Sequence, residues 1–108
     1  VSDQMGTPTN AADLAKALLE ILPKINNEQV AIYHFANSGT CNWYEFAKAI
    51  FKMKGMEVKV HPITTSEYPT LAKRPKYSVL ESGNIASFYN VNIPKWDDSV
   101  ANFLQKIN

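Results

Sequence analysis

Segments with a helical period dominate this chain, and strand-like stretches are scarce. Four segments carry apolar residues at helical spacing, whereas only "VAIYHFA" (30–36), "MEVKVHPI" (56–63) and the short "SVL" (78–80) read as strands. A doubly wound sheet needs more strands than that. The residues therefore predict an α/β unit with few strands and about four helices. Its 108 residues, 45% of them hydrophobic, suffice for one core but not two.

The helix at 11–22 sets Leu14, Leu18, Ile21 and Leu22 on one face, with Ala11, Ala15 and Ala17 allowing close packing. Thr9 or Asn10 can cap its first amides, Asp13 suits the positive end of its dipole, and Pro23 ends it. The second helix has the sharpest boundaries. Asn42 and Glu45 have capping-box spacing, Trp43, Phe46, Ala47, Ile50 and Phe51 form an apolar stripe, and Gly55 sits where a left-handed C-terminal residue belongs. Ser82 can cap a short helix carrying Ile85 and Phe88. Pro94 precedes a last helix whose apolar face is Trp96, Val100, Phe103, Leu104 and Ile107. The strand "VAIYHFA" reads as buried, being mostly apolar and bounded by polar turns. "MEVKVHPI" alternates Met56, Val58, Val60 and Pro62 against Glu57, Lys59 and His61, which predicts a strand with one wet face.

Charge and composition narrow the function classes. A formal net charge of +1 creates no broad field, so nucleic acid and anionic membranes are poor partners. No apolar run approaches the roughly 18 residues of a membrane span. No signal peptide is visible, and the single Cys41 cannot close an internal disulfide, so a cytoplasmic protein is expected. The two histidines and Cys41 lie far apart, in no metal-ligand spacing. His34 reads as a hydrogen-bonded structural residue of its strand, and His61 as a solvated one. Cys41, just before a helix N-terminus, is placed for a lowered thiol pKa, but without a fixed histidine it is not read as a nucleophile. "GTPTNAAD" is neither G-x-G-x-x-G nor a P-loop, so no cofactor-binding fingerprint is present.

From residue 64 to 77 the periodicity dissolves into "TTSEYPTLAKRPKY". Of the eleven basic residues Arg74 is the only arginine, and it stands in a Pro-flanked loop near Tyr68, Tyr77 and Ser78. A guanidinium suits bidentate phosphate recognition and aromatic stacking, where an ammonium does not. Pro75 stiffens the loop. A phosphate clamp and a solvated basic turn both fit these residues.

Four stretches, "SDQMGTPTNAADLA", "IYHFANSGTCNWYEFAKAIF", "PITTSEYPTLAKRPKYSVL" and "IPKWDDSVANFL", together and in this order resemble the C-terminal part of the dTDP-4-dehydrorhamnose reductase family of extended short-chain dehydrogenases. The likeness covers essentially the whole chain. Its most specific parts are the D-Q-x-G-x-P-T turn with the following DLA helix, G-x-x-x-W-Y-E-F-A, and E-Y-P-T-x-A-x-R-P-x-x-S-x-L.

The resemblance implies that residues 1–108 are the C-terminal substrate-binding lobe of a Rossmann-type enzyme, with the N-terminal dinucleotide-binding domain outside this chain. The parent would reduce a dTDP-linked 4-keto sugar, dTDP-4-dehydro-L-rhamnose, to dTDP-L-rhamnose with NADPH or NADH. The family's Tyr-x-x-x-Lys pair would belong to the other domain, so this chain alone would bind no cofactor and supply no catalytic residue. Tyr44 and Lys48 repeat that spacing, but they fall in the Trp43 helix of the substrate lobe and are not the pair. The implied nucleotide-sugar contacts are Asp3, Gln4, Gly6, Pro8 and Thr9 at the seam between the lobes, and Lys73, Arg74 and Ser78 in the loop, with Arg74 on the diphosphate. Lys73 and Tyr77 stand where many family members carry Arg and Asn. A related nucleotide-sugar epimerase or reductase, and a non-catalytic regulatory subunit of the same fold, are the competing functions. The parent is expected to be a homodimer.

Overall fold

Chain order in the computed structural model, which describes residues 1–26 and 29–107, is β1 (Met5–Gly6), α1 (Ala11–Ile21), β2 (Cys41–Asn42), α2 (Trp43–Met53), α3 (Gly83–Tyr89) and α4 (Trp96–Lys106). β1 and β2 pair antiparallel, Met5 opposite Asn42 and Gly6 opposite Cys41. The result is a mixed α/β fold of few strands and four helices, the class the sequence predicts.

Helix boundaries follow local chemistry. Of the two candidate caps on α1, Asn10 does the capping: its side chain accepts the Ala12 N–H at 3.0 Å. After Ile21 the chain tightens into a single 3₁₀ turn, Leu22–Lys24, which contains Pro23. The capping box on α2 is reciprocal. Asn42 Oδ1 accepts the Glu45 N–H at 2.8 Å, and Glu45 Oε2 accepts the Asn42 N–H at 3.1 Å. Gly55, at φ 65°, ends α2: its N–H reaches the Lys52 carbonyl at 3.1 Å and the Met56 N–H reaches that of Phe51 at 2.9 Å. Ser82 precedes α3 but does not cap it. Its hydroxyl accepts the Ala36 N–H at 2.7 Å and donates to the Ala36 carbonyl at 3.0 Å, fastening a remote loop instead.

The long strands expected from the sequence do not form among the described residues. Residues 30–36 have no ladder partner, and Val30 and Ile32 are 97% and 85% exposed, so only the later part of the segment, with half-buried Tyr33 and Phe35 and buried Ala36, reaches the interior. His34 in it is exposed as well, not the structural residue expected inside an apolar strand. Residues 56–63 are likewise unpaired, and Met56 and Val58 are exposed. An alternating pattern states which residues suit a strand, but the ladder needs a neighbour, and here none is supplied. The segment at 78–80 makes only a single parallel bridge through Tyr77 to Met5.

The core is small. Ala17 and Ile21 of α1, Ile85 of α3 and Val91 form a buried cluster, backed by Tyr33, Phe35, Tyr89 and Ile93. The face of α1 is therefore shifted from the expected one, since Leu18 and Leu22 are more than half exposed. Phe88 of α3 is 70% exposed and packs on the Tyr33 and Tyr89 rings at 5.8 and 4.9 Å. With a radius of gyration of 16.5 Å, the chain is more extended than the ~13 Å of an ordinary 100-residue domain. That shape leaves many large apolar side chains uncovered.

A buried polar network joins α1 to α4. Asn37, 2% exposed, accepts the Asn10 N–H at 2.7 Å and donates to Asp13 at 2.7 Å and to the Pro94 carbonyl at 3.2 Å. The buried Ser99 hydroxyl donates to Asp13 and accepts from the Asn10 amide. No buried side-chain nitrogen or oxygen among the described residues lacks a partner, so the network is satisfied throughout.

Candidate functional site

The turn before α1 is held on three sides. Ser2 donates to the Ile63 carbonyl at 2.8 Å through its backbone, the Met5 N–H to the Lys76 carbonyl at 2.8 Å, and the Ser78 N–H to the Met5 carbonyl at 2.8 Å. β2 closes the third side. The basic loop is therefore fixed at residues 76 and 78, directly after Pro75, and Arg74 projects from a pinned segment. Gly6 permits this closeness: a Cβ there would stand 3.2 Å from Ser78 Oγ.

Between the β1 turn, the start of α2 and the basic loop lies a cavity of about 380 Å³. Of the residues singled out from the sequence, Gln4, Gly6, Pro8, Arg74 and Ser78 line it. Arg74 is the one cationic side chain in the lining. The polar remainder comes from Thr7 and Asn42, and the apolar remainder from Trp43, Phe46, Pro75 and Leu80, with Cys41 beneath. A partly apolar cavity with a single forked cation fits a ligand that carries one anionic group among flat or apolar parts.

The other candidates lie elsewhere. The Asp3 carboxylate is engaged by the segment after Ile63: it accepts the Thr65 N–H at 2.9 Å and the Thr65 hydroxyl at 2.7 Å. Those bonds hold its pKa below the ordinary 3.8, side-chain bonding to Thr65 first and backbone bonding second. Gln4 adds a bond from Nε2 to the Thr65 hydroxyl at 3.3 Å. Thr9 is exposed and borders a separate groove between α2 and α4. Lys73 is exposed and outside the cavity lining. Tyr44 and Lys48 interact only as a cation over a ring at 5.1 Å on α2, and neither lines the cavity.

Cys41 departs from expectation. It belongs to β2, is buried, and its thiol is pushed up to about 11, chiefly by burial and then by the Glu45 and Asp97 charges. Desolvation and two carboxylates outweigh the adjacent helix N-terminus.

Reading by residue type missed Trp43 as part of the site. Its place in the apolar stripe of α2 assigned it to the core, yet it is 54% exposed and lines the cavity. The available signal was its position, directly after the Asn42 cap where a helix meets a loop.

The family model for the RmlD substrate binding domain matches residues 1–108. The chain belongs to this family. Among curated relatives, the spore coat polysaccharide biosynthesis protein SpsK of Bacillus subtilis (strain 168) is 40% identical over 98% of this chain and 36% of its own length. The dTDP-4-dehydrorhamnose reductase of Sinorhizobium fredii (strain NBRC 101917 / NGR234) is 35% identical over 92% of this chain and 36% of its own. The crystal structure of a dTDP-4-dehydrorhamnose reductase from Clostridium acetobutylicum matches with a TM-score of 0.87 at 37% identity, over 99% of this chain and 37% of that one. The Bacillus anthracis reductase, solved in complex with NADP, gives 0.84 at 33% identity, over 99% and 36%. The chain thus spans just over a third of the length of the relatives it matches.

As an RmlD substrate-binding domain, the chain offers no fit to a dinucleotide. Its four glycines stand apart, in β1, before β2, at the end of α2 and at the start of α3, and the only sheet among the described residues is antiparallel. A pyrophosphate cradle needs a Gly-rich turn between a parallel strand and a helix. Among the described residues no helix is long and apolar enough to cross a membrane.

Proposed function

We propose that this chain is the part of a dTDP-4-dehydrorhamnose reductase that holds the dTDP end of dTDP-4-dehydro-L-rhamnose, with reduction by NADPH or NADH taking place against a separate dinucleotide-binding domain of the same parent. The observation that carries the reading is the cavity in which Arg74 faces Gln4, Gly6 and the start of α2. The family match over residues 1–108 and the names of the relatives support it. In this reading Arg74 binds the diphosphate through its fork, Ser78 and Gln4 add neutral hydrogen bonds, and Asp3 positions the turn without touching the ligand. Lys73 contributes long-range charge alone, and Thr9, on the separate groove between α2 and α4, makes no contact with the ligand in this cavity. Remote binding of this kind orients the sugar for a hydride delivered elsewhere. The parent works in the cytoplasm, where a lone thiol such as Cys41 stays reduced.

The test is an assay of the whole protein with dTDP-4-dehydro-L-rhamnose and NADPH, alongside the 108-residue chain. The whole protein should oxidise NADPH and form dTDP-L-rhamnose, and the chain alone should leave NADPH untouched. Oxidation by the chain alone, or no turnover by the whole protein, would overturn the reading.

A further inference from the structure

The cavity contains one feature that a diphosphate clamp leaves unused. Trp43 is the first residue of α2 and is 54% exposed, although it is among the largest apolar side chains of the chain. Its ring is nevertheless held in place. Phe46, one helical turn on, meets it edge-on at 6.2 Å and 88°, and Phe46 in turn rests on Trp96 of α4 at 5.9 Å and 45°. The backbone beneath is fixed by the Asn42–Glu45 capping box. A row of three rings thus runs from the α2–α4 contact to the cavity and ends on a half-exposed indole that lines it.

We infer that Trp43 is the stacking surface for the pyrimidine base of a nucleoside diphosphate whose phosphates are bound by Arg74. The inference rests on the reading of the cavity given above and deepens it. The direction of the ligand follows from what the domain lacks. No dinucleotide cradle fits here, so the reacting sugar carbon meets its hydride outside this cavity, and the end of the ligand left for the cavity is the nucleotide. A base has a flat π face and edges that prefer water or weak polar partners. An indole supported from behind, with few charges nearby, matches that face. Arg74 is the only cation in the lining, so the anionic and aromatic parts of such a ligand have distinct partners. Stacking tolerates the exchange of one ring for another, because the contact is between faces and not between matched donors and acceptors.

Two probes separate base from phosphate: dTDP and inorganic pyrophosphate, titrated calorimetrically into the whole protein and its variants. Trp43→Ala should weaken dTDP roughly ten- to a hundredfold and leave pyrophosphate unchanged. Trp43→Phe should retain most of the dTDP affinity, while Trp43→Leu, with comparable bulk but no ring, should behave like Trp43→Ala. Arg74→Ala should weaken both probes. If Trp43→Ala weakens pyrophosphate as much as dTDP, the ring only supports the loop and the stacking assignment is overturned. It is equally overturned if Trp43→Leu binds dTDP like wild type. Wild-type protein that binds neither probe would remove the nucleotide reading of the cavity itself, and the stacking assignment with it. Wild-type binding of both probes with a silent Trp43→Ala removes the stacking alone.

Discussion

Asp3 and Thr65, 62 positions apart, are joined by three bonds: the Asp3 carboxylate accepts the Thr65 N–H at 2.9 and 3.1 Å through its two oxygens, and the Thr65 hydroxyl at 2.7 Å. Asp3 thereby caps the 3₁₀ turn Thr65–Glu67 from another part of the chain. Its pKa is lowered in the fold, so the stabilisation is fully present above the unfolded value near 3.8 and is lost as pH falls through the folded value. The difference in melting temperature between wild type and Asp3→Asn should be constant from pH 7 to pH 5 and shrink below about pH 4. A gap that persists unchanged into strong acid would show that the carboxylate charge is not what matters.

Asn37 should be the costliest single polar position. Truncation to Ala strands the Asn10 N–H and removes donors from Asp13 and the Pro94 carbonyl, all partly buried around the buried Asn37. We expect Asn37→Ala to lose about 2–4 kcal/mol in denaturant unfolding, from one or two partly buried groups left unpaired. Ser38→Ala next to it, which gives up only a 3.5 Å contact to the Ile93 carbonyl, should fall within about 0.5 kcal/mol of wild type. Equal losses at both positions would contradict the network.

Cys41 should be inert while the domain is folded. With its thiol pushed up to about 11, roughly one part in a thousand is ionised at pH 8, against about a quarter for an ordinary thiol. Labelling by an aromatic disulfide reagent at pH 8 should run at least a hundredfold slower in buffer than in denaturant. Comparable rates would mean that the thiol is accessible and ordinary.

Arg74 tests the diphosphate contact. Charge-assisted bonds contribute about 1.5–3 kcal/mol each, so Arg74→Ala in the whole protein should weaken dTDP-sugar binding roughly ten- to a hundredfold. The loss should fall mainly in KM. Arg74→Lys should recover only part of it, because charge returns without the fork. NADPH affinity should be unchanged. Wild-type dTDP-sugar affinity in a folded Arg74→Ala protein would reduce the loop to a solvated basic turn.

Helix ends were legible because their signals are local. Asn42, Glu45 and Gly55 specify the limits of α2 within fourteen residues, and Asn10 and Pro23 do the same for α1. Strands were not, because pairing is decided by a partner: residues 30–36 and 56–63 have strand composition and no ladder, while β1 and β2, two residues each, are too short to show any period. Ser82 looked like a cap and instead binds Ala36, a contact across 46 positions that no local rule reaches. At the site, the solitary Arg74 beside Pro75 was visible as chemistry, whereas Trp43 was hidden by the helical stripe it belongs to. Asp3 was the converse case, a polar residue in a suggestive turn whose carboxylate is committed to Thr65.

The placement of β1 fixes an order of events at birth. Its Met5 carbonyl awaits the amide of Ser78, and the Met5 N–H awaits the carbonyl of Lys76. At a ribosomal pace of roughly 5–20 residues per second, those partners arrive several seconds after Met5 is made, when α1 and α2 have long had the chance to wind. The cavity wall that presents Arg74 cannot exist before then. Within this domain, the segment synthesised earliest waits for partners made some seventy residues later.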